Sequence, residues 1–174
     1  MLAVPGWLDS QSAPKAVAVV MALNTTARIR LDCSMAVSPA RQAEYSSEGA
    51  YVAYRTPRVD VLIHFLYRDE PNVARFQSGL VSLTNVSKPV LAAYELPLAQ
   101  IARKGTRVTL WGQARAPGTS TTVRIERRTG GAWRTVATVH TGSGRFFRWS
   151  GSLAHGAQVR AHAGSMVGAT LTIA

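Results

Sequence analysis

The chain has 174 residues, 47% of them apolar and 17% charged, a balance that suits folded domains and excludes global disorder. Its longest apolar run, Ala16 to Leu23, has eight residues, far fewer than the roughly 18 to 20 of a membrane-crossing helix, so no membrane is expected as a partner. The net charge of +11 rests on 20 cations, of which 17 are arginine and only Lys15, Lys88 and Lys104 are lysine; they are spread along the chain rather than clustered, so no specific nucleic acid is expected either.

Met1 to Met35 carries neither a sustained helical period nor a strand alternation, and Val17 to Leu23 fits a buried strand or one end of a helix equally well. The stretch MLAVPGWLDSQSAPK ahead of that run is long, has one cation and contains Asp9, so it lacks the basic start of a secretory signal. Cys33 is the single cysteine, which excludes an intramolecular disulfide and a cysteine-rich metal site. Residues 1–35 are left unassigned.

Residues 36–103 are more clearly punctuated. Ser38 and Pro39 predict a helix start, serine as the cap and proline where its missing N–H costs nothing, and the helix runs through ARQAEYSSEGAYVAYR to stop before Pro57. Val59 to Tyr67, VDVLIHFLY, is an almost continuous apolar run that predicts a parallel strand buried on both faces. Lys88 to Tyr94 predicts a short helix opened by Pro89 and closed by Pro97. The order helix, strand, polar loop, helix is an α/β pattern.

The period then changes. RVTLWGQ (107–113), TTVRIERR (121–128), WRTVATVH (133–140), RFFRW (145–149), AQVRAHA (157–163) and ATLTIA (169–174) alternate, with Pro117-Gly118, Gly130-Gly131, Gly142-Ser143-Gly144 and His155-Gly156 between them. Residues 104–174 are therefore expected to form an all-β antiparallel sandwich. Val123, Ile125, Trp133, Val136, Val139, Phe147, Trp149, Val159 and Leu171 are its predicted core.

Chemistry-bearing residues are sparse. His64, His140, His155 and His162 are scattered without metal-ligand spacing, no G-x-S-x-G nucleophile turn occurs, and Gly142-Ser143-Gly144 is a turn rather than a phosphate loop, so no cofactor is expected. Asp69 and Glu70 follow the apolar strand together with Tyr67 and Arg68, but adjacent carboxylates on an extended chain point apart and make a poor acid/base pair. Trp133 and Trp149 sit at strand edges beside glycine turns, where a ring serves either as core filler or as a platform for the apolar face of a sugar.

VSPARQAEY (37–45), AYVAYRTPRV (50–59), FLYRDEP (65–71) and RFQSGLVSLTNVSKPVLAAYELPL (75–98) together resemble the C-terminal end of the (β/α)8 barrel of actinobacterial glycoside hydrolases of the cellulase-type clan. The resemblance covers about residues 37 to 174, with the sandwich as the accessory β-domain that trails such barrels. It implies an α/β fragment, the last βα units of a barrel, followed by an all-β antiparallel sandwich. It also implies carbohydrate as the partner, with Tyr67, Arg68, Asp69, Glu70, Trp133 and Trp149 as substrate-binding residues, and secretion of the parent enzyme. Retaining glycosidases use two carboxylates about 5 to 5.5 Å apart. The resemblance implies an Asn-Glu pair for one and a glutamate ahead of the seventh helix for the other. Asn24, Asn72 and Asn85 are followed by threonine or valine, and NTTARIRLDCS (24–34) contains no glutamate. The chain is thus expected to be a truncated or frame-shifted glycoside hydrolase, inactive alone. The alternative is a carbohydrate-binding or interaction module carried by the sandwich.

Overall fold

The computed structural model describes residues 37–73, 75–115 and 122–174, together with the backbone of Ala16–Val20. The readings of residues 1–35, of Cys33 and of the Pro117-Gly118 turn otherwise lie outside these residues.

Strand β1 (Ala16–Val20) pairs in parallel with β2 (Val59–His64), and helix α1 (Pro39–Arg55) lies between them in sequence. The Ser38 hydroxyl accepts the Arg41 N–H at 3.2 Å, with Pro39 in the first turn, and the helix ends where the Thr56 hydroxyl donates to the Val52 carbonyl at 2.6 Å ahead of Pro57. Its buried face, Ala43, Ser47, Ala50 and Ala53, follows the helical period and consists of small residues. That lets the helix approach the sheet beneath it closely enough for the Ser47 hydroxyl to take the Leu98 N–H at 3.4 Å.

Helix α2 (Pro89–Glu95) leads into β3 (Leu98–Lys104), β4 (Arg107–Gln113), β5 (Thr122–Thr129), β6 (Ala132–His140), β7 (Phe146–Ser152), β8 (Gln158–Ala163), β9 (Met166–Val167) and β10 (Leu171–Thr172). These make two antiparallel sheets, one in the order β3-β4-β7 and a five-stranded one in the order β10-β8-β5-β6 with β9 on β8. Leu98, Val108, Leu110 and Phe147 from the first share one core cluster with Val123, Ile125, Val159, Ala161 and Leu171 from the second. Val108, Leu110, Val123, Ile125 and Val159 are fully buried, and each such side chain contributes about 1.5–3 kcal/mol relative to exposure.

The barrel-fragment expectation is corrected. Outside the β1–β2 pair, every pairing between named strands is antiparallel, and helix among the described residues is confined to α1 and α2 apart from a 3-10 turn at Ser143–Arg145. The chain is a β-rich domain rather than a series of barrel βα units. The apolar run at 59–67 misled because its alternate members point outward: Val61 is 47% exposed, Ile63 49% and Tyr67 64%, whereas Leu62 and His64 turn inward. Nor does α1 pack as a barrel helix. Ala50 and Tyr51 join Ala99, Ile101, Trp111 and Phe146, so the helix covers the outer face of the three-stranded sheet.

Three details of the sandwich also differ from expectation. Trp133, expected in the core, lies outside the core cluster, because beyond the register shift at Ile125/Glu126 it pairs with the outward-facing Arg128. The first strand of the sandwich is β3, which pairs with β4 from Leu98 onward, ahead of the boundary expected at 104. Val136 is 39% exposed rather than in the core, because a register shift between Ile125 and Glu126 interrupts the alternation that placed it inward.

Candidate functional site

The loop after β2 holds four of the residues singled out from the sequence. Leu66 has a left-handed backbone (φ 73), which turns the chain sharply out of the strand. The loop then folds back on itself: the Val81 N–H donates to the Tyr67 carbonyl at 3.0 Å, and the Asp69 N–H to the Val81 carbonyl at 3.1 Å. Asp69 Oδ1 accepts the Gly79 N–H and the Lys88 ammonium, both at 2.9 Å, and Lys88 Nζ also donates to the Gln77 carbonyl at 2.8 Å. Gly79 is required here, since a Cβ would collide with the Asp69 backbone nitrogen and stand 2.5 Å from the Arg68 carbonyl carbon. Asp69 is therefore committed to holding the loop shut.

Glu70 is placed differently. Its backbone is tied to Phe76 and Gln77, while Oε2 is buried with no hydrogen-bond partner. Tyr67 and Arg68 are exposed at the loop surface. His64, just before the loop, meets the Ser78 carbonyl through Nε2 at 2.9 Å, and burial lowers its pKa despite that bond.

Trp149 and Trp133 occupy different environments. Trp149 packs its ring over Gly151 and against the core between the sheets. Trp133 lies opposite Arg128 on the five-stranded sheet, and the Arg160 guanidinium sits 4.3 Å from its ring centre. Arg160 in turn donates from Nε to Glu126 Oε2 at 2.8 Å. Because Val123 and Ile125 point into the core, Arg124 and Glu126 point outward, yet the Glu126 carboxylate is covered by its neighbours and only 9% exposed. Arg124 Nε lies 3.6 Å from Oε1.

His162 completes the cluster from β8. Its Nδ1 is 2.7 Å from Arg124 Nη2 and 3.2 Å from Glu126 Oε1, so it accepts from the arginine in one tautomer and donates to the carboxylate in the other. Burial pushes the Glu126 carboxyl up, but the hydrogen bonds and charges of Arg160 and His162 outweigh it and hold the group below the usual carboxylate range.

Neither models of protein families nor curated proteins give a match to this chain. The site is thus read from its own geometry. Among the described residues no group of three or more metal-ligating side chains converges. What the outer face of the five-stranded sheet offers is an indole braced by the Arg160 guanidinium and paired in the ladder with Arg128, whose Nη1–H goes to the Gln158 amide oxygen at 3.3 Å, with Arg124 and His162 further along the same face. Trp133 was singled out in the sequence both as core filler and as a platform, and the structure places it outside the core. The cluster of Glu126, Arg160 and His162 was not legible there, although outward-facing charges at alternate positions of adjacent strands are the pattern that produces such a cluster.

Proposed function

We propose that the antiparallel sheets form a carbohydrate-binding module whose stacking platform is Trp133 on the five-stranded sheet. The observation that carries this reading is the Arg160–Trp133 contact at 4.3 Å, itself locked by the Arg160–Glu126 pair. A platform fixed before the ligand arrives loses little side-chain entropy on binding, and a half-buried indole with Arg160 against it and Arg128 opposite suits a sugar ring with one apolar face and a polar rim. Affinity electrophoresis of the full chain through gels containing soluble polysaccharides tests it. Trp133→Ala should cost about 2 kcal/mol or more, roughly thirtyfold in affinity, as for a central aromatic contact. Trp149→Ala should lower stability while the folded fraction still binds. Unchanged retention of Trp133→Ala would refute the assignment.

We infer also that this chain is itself inactive as a glycosidase. The support is the engagement of Asp69 by Lys88 and Gly79, which leaves that carboxylate poorly placed to act on a sugar. Turnover of aryl glycosides by the purified chain, lost in Asp69→Asn or Glu70→Gln, would overturn it.

A further inference from the structure

A crevice of about 550 Å3 opens where the last turns of α1 and the start of β2 meet the end of the three-stranded sheet. Small-molecule sites typically enclose roughly 300–1,000 Å3. The space exists because α1 contributes Ala50 and Ala53 on this side, where larger side chains would fill it. The aromatic lining is set by Tyr54 and Phe146, whose ring centres are 4.4 Å apart and tilted by 48°, together with Tyr94.

Arg115 is the notable polar group. Its backbone N–H donates to the Glu95 carbonyl at 3.1 Å, its Nε–H to Gln113 Oε1 at 3.1 Å, and its guanidinium lies 4.6 Å from the Tyr94 ring centre. Two side-chain contacts therefore hold the fork in place, yet no carboxylate among the described residues forms an ion pair with it. Burial pulls its pKa down, the mark of a desolvated cation, although a guanidinium stays charged at neutral pH.

We propose that this crevice binds a small carboxylate with a flat apolar body, its carboxylate held by Arg115 and its body against Tyr54 and Phe146. A rigid, partly desolvated guanidinium with no ion-pair partner among the described residues gains most from an anion, and the planar fork matches a carboxylate. The site is separate from Trp133 and does not depend on carbohydrate binding.

Isothermal titration of the full chain tests this with phenylacetate and its neutral isostere phenylacetamide. Phenylacetate should bind at least about tenfold more tightly than phenylacetamide, the size of one charge-assisted hydrogen bond. Arg115→Gln should remove the preference for acid over amide. Equal affinity for acid and amide, or no heat with phenylacetate at millimolar concentration, would each overturn the proposal. The comparison of the two ligands on the unaltered chain decides the matter even if Arg115→Gln does not fold.

Discussion

Replacing Asp69 distinguishes a residue that closes a loop from one that meets a ligand. In Asp69→Ala the Gly79 N–H loses its acceptor, and the Lys88 ammonium, only 15% exposed, keeps the Gln77 carbonyl but loses its counter-charge. An orphaned buried donor costs about 1–3 kcal/mol. A buried ion pair broken from one side costs about 3–5 kcal/mol, but both side chains retain some solvent contact, so the combined loss is expected at about 2–4 kcal/mol. Asp69→Asn keeps an oxygen for Gly79 and should lose about half of that. Urea unfolding gives the free energies, and amide exchange at Gly79 and Val81 reports whether the loop opens first. The decisive variant is Lys88→Met in the Asp69→Ala background, which removes the stranded ammonium and should recover at least 1 kcal/mol, the coupling expected of a contacting pair. If the two substitutions add without recovery, or if Asp69→Ala is as stable as the parent chain, the loop-closing role is wrong.

Gly112→Ala should destabilise by about 3 kcal/mol, because the added Cβ meets the Phe147 ring and comes within 2.6 Å of the Pro97 carbonyl oxygen, where backbone cannot yield; an unchanged urea midpoint would contradict that packing. Acid unfolding should show two components. The depressed pKa of His64 favours the fold above its ordinary value near 6.5 and loses stability as pH falls below it, while the depressed Glu126 favours the fold above about 4.3 and loses it as pH falls further. Stability measured against pH should lose the upper component in His64→Gln and the lower one in Glu126→Gln; loss of stability on raising the pH through either window would reverse the assigned sign.

Local signals were readable where one residue decides the geometry. Ser38, Pro39 and Pro57 mark both ends of α1, and Pro89 opens α2, since caps and proline act within one turn. The apolar run at 59–67 was not readable in the same way, because an apolar residue does not announce whether anything covers it. Val61, Ile63 and Tyr67 stand outward on a strand whose composition suggested burial on both faces. Strand β3 was missed for a related reason: LAQIARK has small and charged residues where a strand period calls for bulk. Its assignment comes from the register with β4 and from α1 lying over Ala99 and Ile101, both of them tertiary facts.

The candidate site followed the same division. Trp133 drew notice by type and by its place beside Gly130-Gly131, yet strand alternation put it in the core, and the register shift between Ile125 and Glu126 turns it outward. Its supports drew none, because Glu126 is 34 residues from Arg160 and 36 from His162, and only the β5–β8 register brings them together. The same logic explains why the open surface lies on one sheet. Helix α1 occupies the outer face of the three-stranded sheet, burying Trp111 against Tyr51 and Tyr54, so aromatic residues there become core. Thr122, Arg124, Arg128 and Thr138 on the outer face of the five-stranded sheet stay exposed. An extended polymer needs such an open face, whereas the seam beneath α1, walled by Tyr54, Phe146 and Arg115, admits only a short guest. The placement of one small-faced helix thus separates the two proposed sites, an open sheet face and a crevice.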